Sequence, residues 1–228
     1  MKRTLAISLW LAAMATTAQA QSDYEYRMEV GAGIGTVAYE GDFNGSITHG
    51  MQPMASVVMR RLFSPYMGIK LAASYGTLKG SSADVKTYYP DYVEHPYTFS
   101  NTLVDVSATY EYNFWPYGTG FDYRGARRLT PFIFAGLGAT YVSGSPSGVF
   151  TANVPLGLGV KYKIARRLNL GVEWAAHFTF SDKLDGVADP YGIKSSGLFK
   201  NTDCYSMLQV TLTYSFQPKC RTCHNDDE

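Results

Sequence analysis

Three observations predict an all-β fold, an eight-stranded antiparallel transmembrane β-barrel with a short periplasmic C-terminal tail. The first is strict two-residue alternation, clearest at 208–216, where Leu208, Val210, Leu212, Tyr214 and Phe216 interleave with Gln209, Thr211, Thr213 and Ser215. Such a strand has one apolar and one polar face, the division that lipid outside and a wet lumen inside require. The second is that alternating segments recur eight times, an even number that matches the smallest bacterial barrels. The third is the start of the chain, where Lys2 and Arg3, an apolar run over 5–13 and Ala18-Gln19-Ala20 read as a secretory signal with its cleavage site. Beyond that signal no apolar stretch approaches the roughly 20 residues of a helical span, so a membrane crossing has to be made of strands.

Taken in order, segment 24–37 brings Glu25, Arg27 and Glu29, then Gly31, Gly33 and Gly35, to one face. Segment 53–62 alternates less cleanly and carries Arg60; segment 66–78 carries Lys70; segment 102–114 carries Asp105 and Glu111. Segment 132–142 is again irregular, with Gly136 and Gly138 on the polar face. In 153–164 Val154, Leu156, Leu158, Val160, Tyr162 and Ile164 oppose Asn153, Gly157, Gly159, Lys161 and Lys163. In 168–180 Leu168, Leu170, Val172, Trp174, Ala176, Phe178 and Phe180 oppose Asn169, Gly171, Glu173, His177 and Thr179, and 202–216 closes the set. The chain thus divides into a signal (1–20), a barrel domain (21–216) and a Cys-containing tail (217–228).

Short turns at 63–65 and 165–167 alternate with longer loops at 38–52, 79–101 and 181–201. In such barrels the short turns and both termini face the periplasm. The connection 115–131 breaks this rule, because it lies on the short-turn side yet matches the outer loops in length. Long connections of this kind are usually functional or disordered. Its Trp115, Tyr117, Phe121, Tyr123, Arg124, Arg127 and Arg128 are the residue types most often found as interface anchors, and they form the candidate partner-binding set.

After the signal, 18 Lys and Arg stand against 19 Asp and Glu with no run of like charge, which gives no electrostatic reason to expect nucleic acid. The inward-facing charges are of both signs: Arg27, Glu29, Arg60, Lys70, Asp105, Glu111, Lys161 and Glu173 are expected to pair inside the lumen, where burial is tolerable only with such pairing. An eight-stranded barrel is filled by side chains, so a structural plug is expected rather than a conducting lumen, and no small-molecule substrate is expected. The inward glycines are expected to make room for larger neighbours, and Gly159→Ser is expected to be milder than a charge at outward Leu158.

Cys220-Arg221-Thr222-Cys223-His224 matches the pattern of covalent c-type haem attachment. Haem also needs an apolar pocket, and no apolar residue other than the cysteines follows Phe216; three potential ligands in the tail fall short of a zinc site. No cofactor or metal is therefore expected. The tail cysteines could bridge each other, remain thiols, or join another protein, and Cys220 and Cys223 are the candidates for an intermolecular disulfide. Cys204 lies roughly 50 Å along the strand from Cys220 at about 3.3 Å per residue, too far to pair with it. An enzyme is not expected. His177 with Thr179 or Ser181 is a conceivable base and nucleophile, but a lumen histidine is the simpler reading, and no G-x-S-x-G elbow is present.

Tyr39-Glu40-Gly41-Asp42-Phe43-Asn44, Pro116-Tyr117-Gly118-Thr119-Gly120, Asp189-Pro190-Tyr191-Gly192 and Asn201-Thr202-Asp203 with the Cys-containing tail are spread over most of the mature chain. In these segments the sequence resembles the PorG-like outer-membrane barrels of the type IX secretion machine of Bacteroidota. The resemblance implies a non-enzymatic assembly part that fixes a periplasmic ring of PorK and PorN type to the outer membrane. It supplies no site residues of its own; the candidates above rest on position and chemistry. A small channel and a surface-binding barrel, the latter using Tyr88, Tyr89, Tyr92 and Tyr97 of an outer loop, are the alternatives.

Overall fold

A computed structural model describes residues 27–40, 50–81, 95, 98–118, 126–144, 148–181, 184 and 203–216. The signal, residues 24–26, most of the expected outer loops and the Cys-containing tail lie outside the described residues. Eight strands follow one another: β1 (Met28–Glu40), β2 (Gln52–Ser64), β3 (Met67–Ser81), β4 (Thr98–Asn113), β5 (Leu129–Ser143), β6 (Val149–Lys163), β7 (Leu168–Thr179) and β8 (Cys204–Phe216). Each pairs antiparallel with its sequence neighbours, and β1 pairs with β8 from Met28↔Phe216 to Glu40↔Cys204, so the sheet is a closed barrel. Closure leaves no unpaired edge, which a strand structure in lipid cannot tolerate.

The end holding the start of β1 and the finish of β8 is called the terminal end, and the opposite one the distal end. On the outer wall every strand contributes aliphatic side chains, among them Ile34, Val57, Leu71, Val106, Leu137, Leu158, Val172 and Val210, all exposed. Aromatics bound this belt on both sides. Tyr66, Tyr110, Tyr112, Phe114, Tyr162 and Tyr214 lie towards the terminal end, and Tyr75, Tyr141, Phe150 and Phe180 towards the distal end. Val104, beside Tyr75 and Tyr141 in the register, is eight residues from Tyr112. That separation is about 27 Å along the strand, or about 20 Å along the barrel axis at the usual tilt of roughly 40°, close to the height of a membrane-facing apolar band.

Several strands run further than the alternation alone suggests. β4 begins at Thr98 and β3 runs to Ser81 because Gly80 pairs with Phe99, whose ring lies where a Gly80 side chain would stand. β5 and β6 approach each other through Val142↔Val149, which shortens the expected loop between them. The inward glycines take the role expected of them in β6: a Cβ at Gly157 would stand 2.3 Å from Phe134 Cζ, and one at Gly159 would stand 2.8 Å from Phe132 Cε1. Gly159→Ser carries a cost of its own that the alternation did not show, because the same Cβ would also lie 2.5 Å from the backbone oxygen of Val172, which cannot swing away.

Candidate functional site

Two features combine charge, aromatic character and an unusual position: the filled lumen and the cap over its terminal end. In the terminal half of the lumen, Arg60 of β2 stands at the centre of a buried cluster. Its Nη1 donates to Glu29 Oε2 at 2.7 Å, its Nε to Glu111 Oε2 at 2.7 Å and its Nη2 to Glu173 Oε1 at 3.1 Å. Lys70 donates to Glu173 and Lys161 to Glu111, while their ammonium groups lie 4.3 Å and 4.0 Å from the ring centroids of Phe134 and Phe132. Three cations and three carboxylates therefore sum to zero in a space closed to water. Every charge is thus paired and hydrogen-bonded through at least one atom, as burial requires, while Glu29 Oε1 and Glu111 Oε1 accept no hydrogen bond. Gln209 and Ser56 extend the network, Gln209 Nε2 donating to Glu173 and Ser56 Oγ to Gln209 Oε1.

Two of the expected lumen charges belong elsewhere. Arg27 is exposed, one pleat beyond Glu29 and already outside the barrel mouth, so the cluster forms without it. Asp105 is buried in the lumen but one layer nearer the distal end, and its hydrogen bonds come from neutral donors: Tyr205 Oη at 2.8 Å, Asn153 Nδ2 at 2.7 Å and Thr140 Oγ1 at 3.2 Å. His177 stacks on Tyr205 with centroids 4.6 Å apart, and its Nδ1 is 3.8 Å from Asp105 Oδ2. Thr179, the conceivable nucleophile, instead gives its hydroxyl to the backbone oxygens of Asp203 and Ser181. Among the described residues no three His, Cys, Asp or Glu side chains gather as a metal site.

The distal half of the lumen is apolar, which the reading of polar inward faces missed. Val37, Tyr39, Met54, Leu78, Phe99, Leu103, Val142 and Met207 surround Leu184, which comes from the β7–β8 connection and is 0% exposed. Leu184 N donates to Asp203 Oδ2 and Asn101 Nδ2 donates to Leu184 O, each at 2.8 Å, and Tyr39 Oη donates to Asp203 Oδ1 at 2.6 Å. The parity of Leu78, Leu103, Val142 and Met207 places them inward, and that signal was available in the sequence. Half-buried Cys204, at this same end, directs its thiol to Glu40 Oε2 at 3.6 Å.

At the terminal end, the two described arms of the long connection after β4, residues 114–118 and 126–128, lie over the barrel mouth. Tyr117 is 1% exposed; its hydroxyl donates to Asn169 Oδ1 at 3.0 Å and Lys163 Nζ lies 5.0 Å from its ring centroid. Its place in the partner-binding set is therefore corrected: Tyr117 is a stopper in the mouth, and a buried tyrosine there needs the hydroxyl partner that Asn169 supplies. Backbone bonds tie the cap across the end of the barrel, from Tyr117 N to Pro65 O at 3.1 Å, Arg127 N to Pro116 O at 2.7 Å and Lys163 N to Arg128 O at 2.8 Å. Trp115, Arg127 and Arg128 remain exposed, with the Arg127 guanidinium 4.9 Å from the Trp115 ring centroid. Phe121, Tyr123, Arg124, Cys220 and Cys223 lie outside the described residues.

An apolar belt between two aromatic girdles, enclosing a lumen filled by ion pairs, polar groups and a distal apolar cluster, defines a small transmembrane β-barrel. The chain belongs to the family described as Domain of unknown function (DUF6089), whose model matches residues 2–225. No curated protein matches it. Among solved structures, the chain is similar to Neisserial surface protein A, with 14% identity, a TM-score of 0.47, and coverage of 83% of this chain and 97% of that one. It is likewise similar to the outer membrane protein OprG from Pseudomonas aeruginosa, with 12% identity, a TM-score of 0.48, and coverage of 86% and 98%. Similarity to Ail, the attachment invasion locus protein of Yersinia pestis, is at 8% identity and a TM-score of 0.46, over 83% and 99% of the two chains.

Proposed function

We propose that the protein resides in the outer membrane with both termini in the periplasm, and that it is a non-enzymatic anchor for a periplasmic ring of PorK and PorN type. The observation that carries this reading is the cap: an unusually long connection, fastened to the barrel mouth by Tyr117, holds Trp115, Arg127 and Arg128 outward on an ordered base. Aromatic and arginine side chains held in this way lose little freedom on docking, which favours an interface. The filled lumen fits a scaffold better than a channel, and the resemblance to PorG-like barrels supports the same partner class. The test is to replace Trp115, Arg127 and Arg128 together by Ala while leaving Tyr117 in place. The barrel is expected to stay folded in the outer membrane and to recover far less of its ring proteins on affinity purification. Undiminished recovery with a folded barrel would refute docking through the cap.

A further inference from the structure

The described charged residues are distributed unevenly over the surface. Every exposed one at the terminal end is an arginine: Arg27, Arg61, Arg127, Arg128, Arg166 and Arg167. The described carboxylates on that side, Glu29, Glu111 and Glu173, are all inside the lumen. Arg27, Arg61, Arg127 and Arg128 make no ion pair with a described carboxylate. They are also spread around the circumference. Arg61 of β2 is opposite Met28 of β1, next to Arg27, whereas Arg128 is bonded through its backbone to Lys163 of β6.

Three of the arginines pack against aromatic side chains of this rim. Arg61, on the outer wall, has its guanidinium 5.8 Å from the Phe63 ring centroid, Arg127 lies over Trp115, and Arg167 Nη1 donates to Tyr214 Oη at 2.9 Å. Tyr214 belongs to the terminal girdle, and Arg61 is level in the register with girdle residue Tyr110 through Ile69; a girdle residue sits where acyl chains meet headgroups, so these guanidinium groups lie at about the depth of the lipid phosphates. Guanidinium is suited to this place, because its face stacks on an aromatic ring while its edge offers paired donors to a phosphate.

We infer that the terminal rim is an arginine collar that binds the headgroups of anionic phospholipid, and that the protein carries a shell of such lipid in the leaflet holding this rim. The collar is distinct from the end-on docking reading, although Arg127 and Arg128 belong to both. An assay on the barrel alone in lipid therefore tests the collar whether or not docking is correct.

Trp115 and Trp174 are the only tryptophans after the expected signal. Trp174 is paired with Leu158 and Leu208 in the membrane belt, away from the collar. A W174F variant of the signal-free chain therefore reports through Trp115, and a W115F variant through Trp174. Each is folded into vesicles of phosphatidylcholine and phosphatidylglycerol, with one or the other lipid brominated in its acyl chains, and quenching gives the relative affinity of the two lipids. At Trp115 the anionic lipid should be preferred at least about fivefold at low salt, the effect of roughly one arginine near an anionic surface. The preference should fall as salt is raised, and it should be near unity at Trp174.

In W174F, R127Q/R128Q should bring the Trp115 preference close to unity, while R127K/R128K should retain part of it through charge alone. Equal quenching by the two brominated lipids at Trp115 would overturn the inference, as would an equal preference at Trp174. An unchanged preference in folded R127Q/R128Q would overturn it as well. Should that variant fail to fold, the comparison of the two tryptophans and its salt dependence still decide.

Discussion

Replacing Arg60 by Met is the most direct perturbation of the lumen, since methionine keeps a flexible unbranched stem while the guanidinium, with its charge and its donors, is removed. Arg60 donates to Glu29, Glu111 and Glu173, and the loss takes the cluster from neutral to a net charge of −1. The three carboxylates are affected unequally. Glu111 keeps Lys161 and Glu173 keeps Lys70, but Glu29 is left with one hydroxyl, Thr213 Oγ1 at 3.2 Å, and its Oε1 has no partner even in the intact protein. The side chains involved are at most 3% exposed, so water cannot compensate. Breaking a buried pair from one side costs about 3–5 kcal/mol, and R60M should lose that much. In the same background E29Q removes the orphaned charge and should restore about 2 kcal/mol, although E29Q alone should destabilise. The assay is urea unfolding in lipid vesicles, followed by tryptophan fluorescence and by gel mobility of the folded form. An R60M protein within about 1 kcal/mol of the parent, or a double variant less stable than R60M, would refute the argument.

Two further outcomes are expected. On β6, Leu158→Arg places a charge on the lipid face of the belt and should cost about 2–4 kcal/mol, whereas Gly159→Ser, pressed against Val172 O and Phe132, should cost about 1–3 kcal/mol by overpacking. Folding yields in vesicles measure both, and a G159S variant as stable as the parent would show that β6 and β7 can separate locally. The tail cysteines are expected to join a periplasmic or lipoprotein partner, giving a reductant-sensitive band above the monomer that is lost in Cys220→Ser or Cys223→Ser. A monomer alone from thiol-blocked cells, with the two cysteines bridged to each other by mass spectrometry, would discard the covalent junction.

The strands that two-residue alternation revealed best, β6, β7 and β8, are those in which polar or charged residues and glycines occupy most inward positions, so that inside and outside differ at most steps. Where the lumen turns apolar the contrast fades. Leu103 and Val104 are consecutive residues of similar character facing opposite ways, and Phe99, inward and buried, lies at a strand end the alternation did not reach. The charged cluster was legible because carboxylates and cations of matching parity have few other places to go. Its membership was less so, since parity continues past the mouth and cannot show that Arg27 has left the lumen. Tyr117 was misread for a different reason. A loop tyrosine looks the same whether it awaits a partner or closes a mouth, and the difference depends on Asn169, 52 residues away.

The interior cluster also bears on how the barrel can assemble. Arg60 and Glu173 are 113 residues apart in the chain and Lys70 and Glu173 are 103 apart, so neither cation finds this partner within its own hairpin. A sheet that has β1 to β4 in place holds Glu29, Arg60, Lys70 and Glu111, but it lacks the strand that brings Glu173 across the lumen and the one that brings Lys161. Until β6 and β7 arrive, the growing wall faces a space that must stay hydrated, and acyl chains cannot invade it without stranding charge. Drying of the interior is thus tied to the last strands and to the joining of β8 with β1. Contacts so distant in sequence are formed slowly, which makes closure of the seam the step at which this protein commits to the membrane.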